Sequence, residues 1–255
     1  LSRSARSPSQ SNMKSHLVIF GIRIADIANT FGFMVLVWLL FGKQSISYFL
    51  FVASFIVPIQ SFALSRNYEY ISVNSESRIE NTLNHIKSLS IIFLFAILIV
   101  LFCKSYMQQE DYSAALTCLG YKYLESLDEL TRAYFLAIAK TGRVLVQSVF
   151  RTAVLGVTLL VLYMGTEHSL VKLPAHLLPF IAIAITYFAS FAMFSLPLIG
   201  GIFLNHKSSV VDVYQYTRKI SFGGMTNVIT SSTAVIPRIY LGFQGDINYV
   251  LYFTM

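Results

Sequence analysis

The sequence predicts an all-α polytopic membrane protein. Of its 255 residues, 55% are hydrophobic and only 12% are charged, and the mean hydropathy is +0.64. These values lie far from those of a soluble globular domain. Apolar stretches of about 20 residues, the length that crosses the hydrocarbon core of a bilayer, recur along the chain. We therefore interpret the chain as a series of membrane-spanning helices joined by short polar connections.

The first part of the chain contains three apolar spans. The first covers about His16 to Phe41, and the second covers about Ser45 to Leu64 with Pro58 inside it. A polar stretch from Ser65 to Lys87 follows, and it is long enough for a short surface helix. The third span covers about Ser88 to Met107. Each span is long enough to cross a membrane once.

The fourth span, Tyr112 to Lys140, is unusual because charged residues occupy its middle. They are Lys122, Glu125, Asp128, Glu129 and Arg132. At about 100° per residue, all of them except Asp128 fall within an arc of roughly 80°. Ionisable groups that face lipid cost several kcal/mol, so we expect this stripe to face a water-filled cavity. Two other interpretations remain: an amphipathic helix in the headgroup layer, or a salt-bridge cluster that only holds helices together.

Three further spans complete the pattern. The fifth runs from about Val144 to Met164, and the sixth from about Leu173 to Ile199. A polar connection, Asn205–Lys219, precedes the seventh span, which covers about Ile220 to Phe243. Tyr249–Met255 begins an eighth span and then stops. We interpret this ending as that of a fragment of a longer protein.

The chain begins with a polar segment, Leu1 to Asn12, that is rich in serine and lacks an initiator methionine. Met13 and the first apolar span follow at once. We interpret residues 1–12 as a disordered cytoplasmic tail, or as translated upstream or cloning-derived sequence. A cleavable signal peptide is disfavoured because the first span is too long and lacks a small-residue cleavage pattern.

The distribution of Lys and Arg predicts the orientation. With the N-terminus inside, the inner segments hold eleven basic residues and the outer loops hold three, Lys43, Lys104 and Lys172. Without the first twelve residues the count is nine against three. Cytoplasmic loops of membrane proteins carry the excess of Lys and Arg, so we expect a cytoplasmic N-terminus. The outer loops are too short to hold an extracellular catalytic domain.

Five basic residues lie within spans rather than in loops: Arg23, Lys122, Arg132, Arg151 and Arg238. Arg23 shares one face of the first helix with Asp26, and Arg151 lies one turn from Gln147. Snorkelling to the cytoplasmic interface is an alternative for both arginines, because each lies within about two turns of that end. The basic residues are dispersed among apolar spans, so the net charge of +7 does not indicate nucleic-acid binding.

The seventh span contains Asn227 and Arg238, which we include among the candidate residues of a substrate or ion pathway. Snorkelling to the outer face is the alternative for Arg238. Pro237 removes one backbone hydrogen bond just before this arginine. We expect it to bend or interrupt the helix about one turn before the outer loop, and we take it as a candidate hinge.

No enzyme motif is present in the sequence. The pairs Gly200-Gly201 and Gly223-Gly224 lack the surrounding pattern of a phosphate-binding loop, so we interpret them as helix-end or helix-packing glycines. The histidines show no metal-ligand spacing, and Cys103 and Cys118 form neither a disulfide framework nor a metal site. We therefore predict a protein that is not an enzyme and has no metal or organic cofactor.

Two stretches carry a resemblance to a known family. In Glu125–Met164, a span that opens with Glu-Ser passes through a short turn into a long helix with an early arginine, in the sequence ESLDELTRAYFLAIAKTGRVLVQSVFRTAVLGVTLLVLYM. In Thr230–Phe253, a Pro-Arg pair precedes a short Gly-containing loop, in the sequence TSSTAVIPRIYLGFQGDINYVLYF. These stretches resemble the fourth-to-fifth and seventh-to-eighth helices of bacterial polysaccharide flippases, of the multidrug/oligosaccharidyl-lipid/polysaccharide exporter superfamily. The pattern of spans extends the similarity from about Lys14 onward.

The resemblance implies a fold of twelve to fourteen helices in two six-helix bundles, with a central cavity that opens to one side at a time. Residues 13–204 would form the N-terminal six-helix bundle, and residues 205–219 would form a cytoplasmic linker. Residues 220–255 would be the start of the second bundle, with the seventh helix and part of the eighth. The remainder of the second bundle lies outside this sequence.

The resemblance also implies a function. Such a protein flips or exports a lipid-linked oligosaccharide or polysaccharide repeat unit across the bacterial inner membrane by alternating access. Its implied partners are a polyprenyl pyrophosphate carrier, membrane lipids and other polysaccharide assembly proteins, and its implied coupling ion is H⁺ or Na⁺. Inward-facing arginine and lysine would hold the anionic head of the carrier, and the acidic residues would neutralise these cations or bind the coupling ion.

Two alternatives from other functional classes stay open. The first is a polytopic membrane enzyme of envelope polysaccharide synthesis, which would need a large outer loop carrying arginine or histidine. The second is a receptor or channel of unknown ligand, which would not require opposite charges stacked along one helix. Five to seven further spans downstream would favour the flippase, whereas a soluble catalytic domain would favour the enzyme.

The predicted orientation can be tested by cysteine labelling. Because of the excess of basic residues, Ser65–Lys87 and Asn205–Lys219 should face the cytoplasm. Ser75→Cys and Ser208→Cys should then escape a membrane-impermeant maleimide in intact cells and react after permeabilisation. Lys172→Cys, in a predicted outer loop, serves as the positive control. Strong labelling of either inner position from outside would reverse the orientation.

Overall fold

The described part of the chain is helical. The computed structural model describes residues 8–64, 78–168, 173–206 and 209–243, and no strand occurs in them. Its α-helices are α1 (Pro8–Ala63), α2 (Arg78–Phe102), α3 (Gln109–Ala137), α4 (Thr141–Glu167), α5 (Leu178–Ser190), α6 (Leu196–Asn205) and α7 (Val210–Phe243). Short 3-10 turns cover Cys103–Tyr106 and Ala175–Leu177, and a π turn, Phe191–Ser195, joins α5 to α6. The predicted all-α class is confirmed for these residues.

Four stretches of the described chain are long and apolar enough to cross a membrane. They are Leu17–Ala63, Arg78–Tyr106, Thr141–Glu167 and Ala175–Asn205. Their outer surfaces are apolar: along the start of α1, for example, Leu17, Phe20, Ile24, Ile27 and Phe31 are exposed at helical spacing. Soluble proteins rarely expose apolar stripes of this size, whereas a lipid environment accommodates them. The fold is therefore consistent with an all-α membrane protein.

α1 is a helical hairpin. Gly42 has φ of 84° and ψ of 167°, and it divides the helix into a first arm before it and a second arm after it. The rings of Phe33 and Phe49, on opposite arms, have centroids 5.0 Å apart. A straight helix would separate these residues by about 24 Å. The positive φ favours glycine, and the turn lies where the sequence predicts the boundary between the first two spans.

Three connections meet at one end of the helical assembly. The hydroxyl of Tyr48, shortly after the α1 turn, donates a hydrogen bond of 2.5 Å to Asp111 in the first turn of α3. Glu110, beside Asp111, lies 3.1 Å from Nε2 of His176 in the 3-10 turn before α5. The α1 turn, the start of α3 and the start of α5 therefore share this end. The sequence predicts that it faces outward, and that orientation stays a prediction.

The charged helix α3 lies at the centre of the assembly. It packs against α1, α2, α4, α5 and the π turn. Its bounds, Gln109–Ala137, differ by only a few residues from the predicted fourth span. An amphipathic helix at a membrane surface would leave its polar face to the headgroups, whereas α3 is covered by other helices on several sides. This position favours an inward-facing charged stripe. α3 is not among the four stretches that are long and apolar enough to cross a membrane, so its crossing stays a prediction.

Two helices begin earlier than the sequence predicts. α1 begins at Pro8, so residues 8–12 of the predicted disordered tail are helical. Proline is favourable at a helix start because it has no N–H to leave unpaired there. α2 begins at Arg78, before the predicted third span, because Leu83 and His85 in its first turns are fully buried. Residues 1–7 and 65–77, and the predicted eighth span, lie outside the described residues.

α7 includes most of the predicted linker, Asn205–Lys219, as helix. Its start is capped by Ser209, whose N–H and hydroxyl donate to the carboxylate of Asp212 at 2.8 and 2.7 Å. These bonds stabilise the ionised form and lower the pKa of Asp212. At the other end, α7 continues past Pro237 to Phe243, so an interruption of the helix is wrong, while the alternative of a bend stays a prediction. Proline can retain helical backbone angles although it removes one hydrogen bond.

α7 packs closely on the preceding helices α1 and α2. A Cβ atom at Gly224 would lie 2.6 Å from Cδ2 of Phe62 and 3.1 Å from its carbonyl oxygen. Nearer the start of α7, the hydroxyl of Tyr216 lies 3.0 Å from Nδ1 of the fully buried His85. Gly224 is therefore a helix-packing glycine, and its missing side chain allows α7 to approach the second arm of α1.

The close approach at Gly224 predicts a cost for adding one methyl group. Gly224→Ala should lower the free energy of unfolding by about 1–3 kcal/mol, because Phe62 and the facing backbone would have to move. Gly156→Ala is the matched control, since no atom lies within 4 Å of its Cβ position. Thermal unfolding in detergent would measure both changes. Equal melting temperatures for the two variants would contradict the close contact.

Candidate functional site

The first half of the charged stripe forms an ion pair in the middle of α3. Nζ of Lys122 lies 2.6 Å from Oε2 of Glu125, and the two side chains are 15% and 20% exposed. Glu125 also accepts hydrogen bonds from Nε2 of Gln60 at 2.8 Å and from the hydroxyl of Tyr187 at 2.9 Å. These donors come from the second arm of α1 and from α5. One carboxylate therefore connects three helices.

A cavity of about 210 Å³ lies beside this pair. Lys122 and Glu125 line it together with Arg238 of α7. Asn29 and Thr30, on the first arm of α1, add uncharged polar groups to the wall. Apolar and aromatic side chains of α1, α3 and α5 form most of the remainder. Two cations on different helices thus face one space, which we call the inner cavity.

The second half of the stripe belongs to a group of five charged side chains, which we call the charge cluster. Its members, from the first arm of α1, from α3 and from α4, are Asp26, Asp128, Glu129, Arg132 and Arg151. Arg132 contacts Asp26 at 2.6 Å and Glu129 at 2.7 Å. Arg151 lies 3.3 Å from one oxygen of each of the three carboxylates. Two guanidinium groups thus hold three carboxylates.

Asp128 is the most deeply buried carboxylate of the charge cluster, at 0% exposure. It accepts hydrogen bonds from Gln147 at 2.5 Å, from Ser195 at 2.9 Å and from Ser190 at 3.0 Å. In an α-helix, Ser190 and Ser195 would point about 140° apart. The wider π turn between them brings both hydroxyl groups to the same carboxylate. This local irregularity therefore serves to compensate a buried charge.

The structure distinguishes Arg151 from Arg23. Arg151 is 2% exposed, and besides its three carboxylates its guanidinium lies 5.6 Å from the ring centroid of Tyr187. The snorkelling alternative is therefore wrong for Arg151, because the charge cluster and not the interface compensates its charge. Arg23 is exposed, beside the exposed side chains of Phe20 and Ile24, and lies outside the cluster. Its surroundings are those of a snorkelling arginine.

The remaining candidates lie on α7 and face two different spaces. Arg238 is partly buried and lines the inner cavity with Lys122. Asn227 is exposed and lines a separate groove of about 460 Å³ between α7 and the second arm of α1. The side chain of Gln60, which donates to Glu125, also lines this groove. The Gln60–Glu125 hydrogen bond thus connects the groove, which Asn227 lines, with the inner cavity, which Arg238 lines.

Several partners of the charged residues were not recognised in the sequence. They are Gln60, Ser148, Tyr187, Ser190 and Ser195. Uncharged polar residues are common in membrane helices and do not mark a site by themselves. A usable signal exists only in the sixth span, where Thr186, Tyr187 and Ser190 share one helix face. Such a polar face within an apolar span predicts contact with the interior.

The burial of Asp128 predicts a large cost for its neutralisation. Asp128→Asn should lower the free energy of unfolding by about 3 kcal/mol, near the lower end for a broken buried ion pair because Arg151 keeps two carboxylates. Thermal unfolding in detergent and membrane yield would show the loss. Glu167→Gln, at the exposed end of α4, is the matched control. Equal stability of the two variants would argue against a structural role for the charge cluster.

Comparisons of this chain with protein-family models, with curated proteins and with solved structures found no match. The resemblance to polysaccharide flippases therefore rests on the sequence patterns alone.

Proposed function

We propose that this chain is part of a transporter that flips or exports a lipid-linked oligosaccharide or polysaccharide repeat unit across the bacterial cytoplasmic membrane. The observation that supports this proposal most is the inner cavity, with Lys122, Glu125 and Arg238 in its wall. The helices around it expose apolar surfaces. Charged groups within membrane-spanning helices are costly, and they commonly mark substrate or ion pathways.

The inner cavity would hold the anionic head of the lipid carrier. Arg238 can donate two parallel hydrogen bonds to phosphate oxygens, and Lys122 acts as a compact positive charge. In the present structure Glu125 neutralises Lys122 at 2.6 Å. A pyrophosphate that enters the cavity would compete with this carboxylate for the ammonium group. Exchange between the two anions would keep binding reversible, as transport requires.

The charge cluster is the proposed place for a coupling ion. Its two guanidinium groups and three carboxylates have a formal charge of −1 when all are ionised. One proton or one sodium ion would neutralise the excess. Asp26 is the most accessible of the carboxylates, at 37% exposure, and would be the first to meet an entering ion. It also joins the first arm of α1 to α3 and α4, so its neutralisation would weaken the contacts between these helices.

In this proposal the helices before residue 205 form the N-terminal six-helix bundle of a two-bundle exporter, and α7 begins the second bundle. Alternating access would arise from movement of one bundle against the other. Arg238 of α7 lines the inner cavity together with residues of α1, α3 and α5. A movement of α7 relative to these helices would therefore open or close the cavity. The predicted cytoplasmic N-terminus belongs to the same proposal.

Transport should depend on the inner cavity. In the full-length protein, Glu125→Gln, Lys122→Gln and Arg238→Gln should each reach the membrane at normal levels but complement a flippase-deficient bacterial strain poorly. The lysine and arginine variants should fail because they remove charge that would hold the anionic carrier. Lys140→Gln, in the exposed turn between α3 and α4, is the matched control and should complement normally.

The outcomes separate a transport role from a structural one. If all three cavity variants complement normally at normal protein levels, the inner cavity does not take part in transport. Low protein levels would indicate a structural ion pair, in particular if the exchanged pair Lys122→Glu with Glu125→Lys restored them. Failure of the unchanged full-length protein, of which this chain is a part in the proposal, to complement any flippase-deficient strain would count against the transport function itself.

A further inference from the structure

The groove between α7 and the second arm of α1 has an unusual lining. Its wall consists of Gln60, Ser61, Leu64, Asn227, Thr230 and Ser231. Five of these six residues carry an amide or a hydroxyl group, and none carries a charge. Amide and hydroxyl groups need hydrogen-bond partners, either water or the polar groups of a ligand. The groove therefore favours an occupant that can form hydrogen bonds.

The lining offers more acceptors than donors. The hydroxyl groups of Thr230 and Ser231 donate to carbonyl oxygens of their own helix, at 3.0 and 3.1 Å. Their oxygen atoms remain as acceptors for a ligand. Asn227 has no hydrogen-bond partner among the described residues, so its amide offers two donors and one acceptor. A ligand rich in uncharged hydroxyl groups matches this set, whereas an anion would find no cation among the described residues of the wall.

Gln60 connects the groove to the inner cavity. Its side chain lines the groove, while its Nε2 donates at 2.8 Å to Oε2 of Glu125, which lines the cavity. The same oxygen of Glu125 accepts the bond from Lys122 at 2.6 Å. A ligand that draws the amide of Gln60 into the groove would leave this oxygen to Lys122 alone. Occupancy of the groove would then alter how strongly Glu125 holds Lys122.

We propose that this groove binds the uncharged, hydroxyl-rich part of a solute, a neutral sugar unit, and that Gln60 links its occupancy to the Lys122–Glu125 pair. The inference rests on the proposed transport function and deepens it, because it separates the place for the sugar from the place for the anionic head. Gln60 is a positioning residue in this scheme, since it acts through Glu125.

Protection from cysteine labelling tests the site. In the chain carrying Cys103→Ser and Cys118→Ala, Ser61→Cys places a near-isosteric thiol in the groove, and Lys140→Cys places one on a remote exposed turn. Maltotriose is the neutral probe and glucuronate is the charged one. We expect maltotriose, at about twice its Kd, to slow maleimide labelling of Ser61→Cys about threefold. Glucuronate should protect less, and Lys140→Cys should not be protected.

Two variants and one control sharpen the test. Asn227→Ala removes the side-chain amide from the groove and should abolish protection. Thr233→Val, an exposed position on α7 that does not line the groove, should retain it. For the link to the cavity, maltotriose should change the rate at which acetic anhydride modifies Lys122, as measured by mass spectrometry. Gln60→Met keeps the size of the side chain without its amide and should remove this effect.

The absence of protection of Ser61→Cys by maltotriose would mean that the groove holds only water, and would overturn the inference. Equal protection by maltotriose and glucuronate, or equal protection of Lys140→Cys, would overturn it as well. These failures are distinguishable from a failure of the transport proposal. If complementation depends on Glu125 but maltotriose does not protect Ser61→Cys, the sugar site in the groove is wrong and the transport proposal stands. If maltotriose protects Ser61→Cys but the protein does not complement, the sugar site stands and the flipping function is wrong.

Discussion

Compensation of buried charge determines how these helices can be arranged. Arg132 and Arg151 hold carboxylates that lie on the first arm of α1 and on α3. An unpaired charge within membrane-spanning helices costs several kcal/mol. The first arm of α1, α3 and α4 therefore cannot slide or rotate relative to one another without breaking these ion pairs. Asp128 extends the constraint to α5 and the π turn through two serine hydroxyls. The charge cluster thus fixes most of the helices around α3.

α3 also carries the Lys122–Glu125 ion pair, which has fewer ionic contacts than the charge cluster. Arg151 is 2% exposed and shares three carboxylates, whereas Lys122 is 15% exposed and has one. Glu125, its partner, depends on Gln60 and Tyr187 from two other helices. α3 thus combines a charge cluster with many contacts at one level of the assembly and a more exposed pair with fewer contacts at another.

Hydropathy was enough to predict the helical class, the turn at Gly42 and the central position of charge on α3. It could not predict the first turns of α2 and α7, because buried polar residues such as His85 and Tyr216 look like loop residues in the sequence. The partners of Arg151 were equally inaccessible, since one of them, Asp26, lies 125 residues away in the chain. No sequence pattern predicts the π turn, whose residue Ser195 donates a hydrogen bond to Asp128. The family of the chain remains a prediction, because it depends on two short stretches and a pattern of spans.

The long sequence separation within the charge cluster affects how the protein is made. Asp26 emerges from the ribosome 106 residues before Arg132 and 125 residues before Arg151. At a synthesis rate of about 5–20 residues per second, this carboxylate waits roughly 5–25 seconds for its partners. During that interval Asp26 has only Arg23, one turn earlier on the same helix face, as a nearby cation on the first arm of α1. The contacts that Asp26 makes with Arg132 and Arg151 can therefore form only after α3 and α4 have been synthesised, so the charge cluster is completed late.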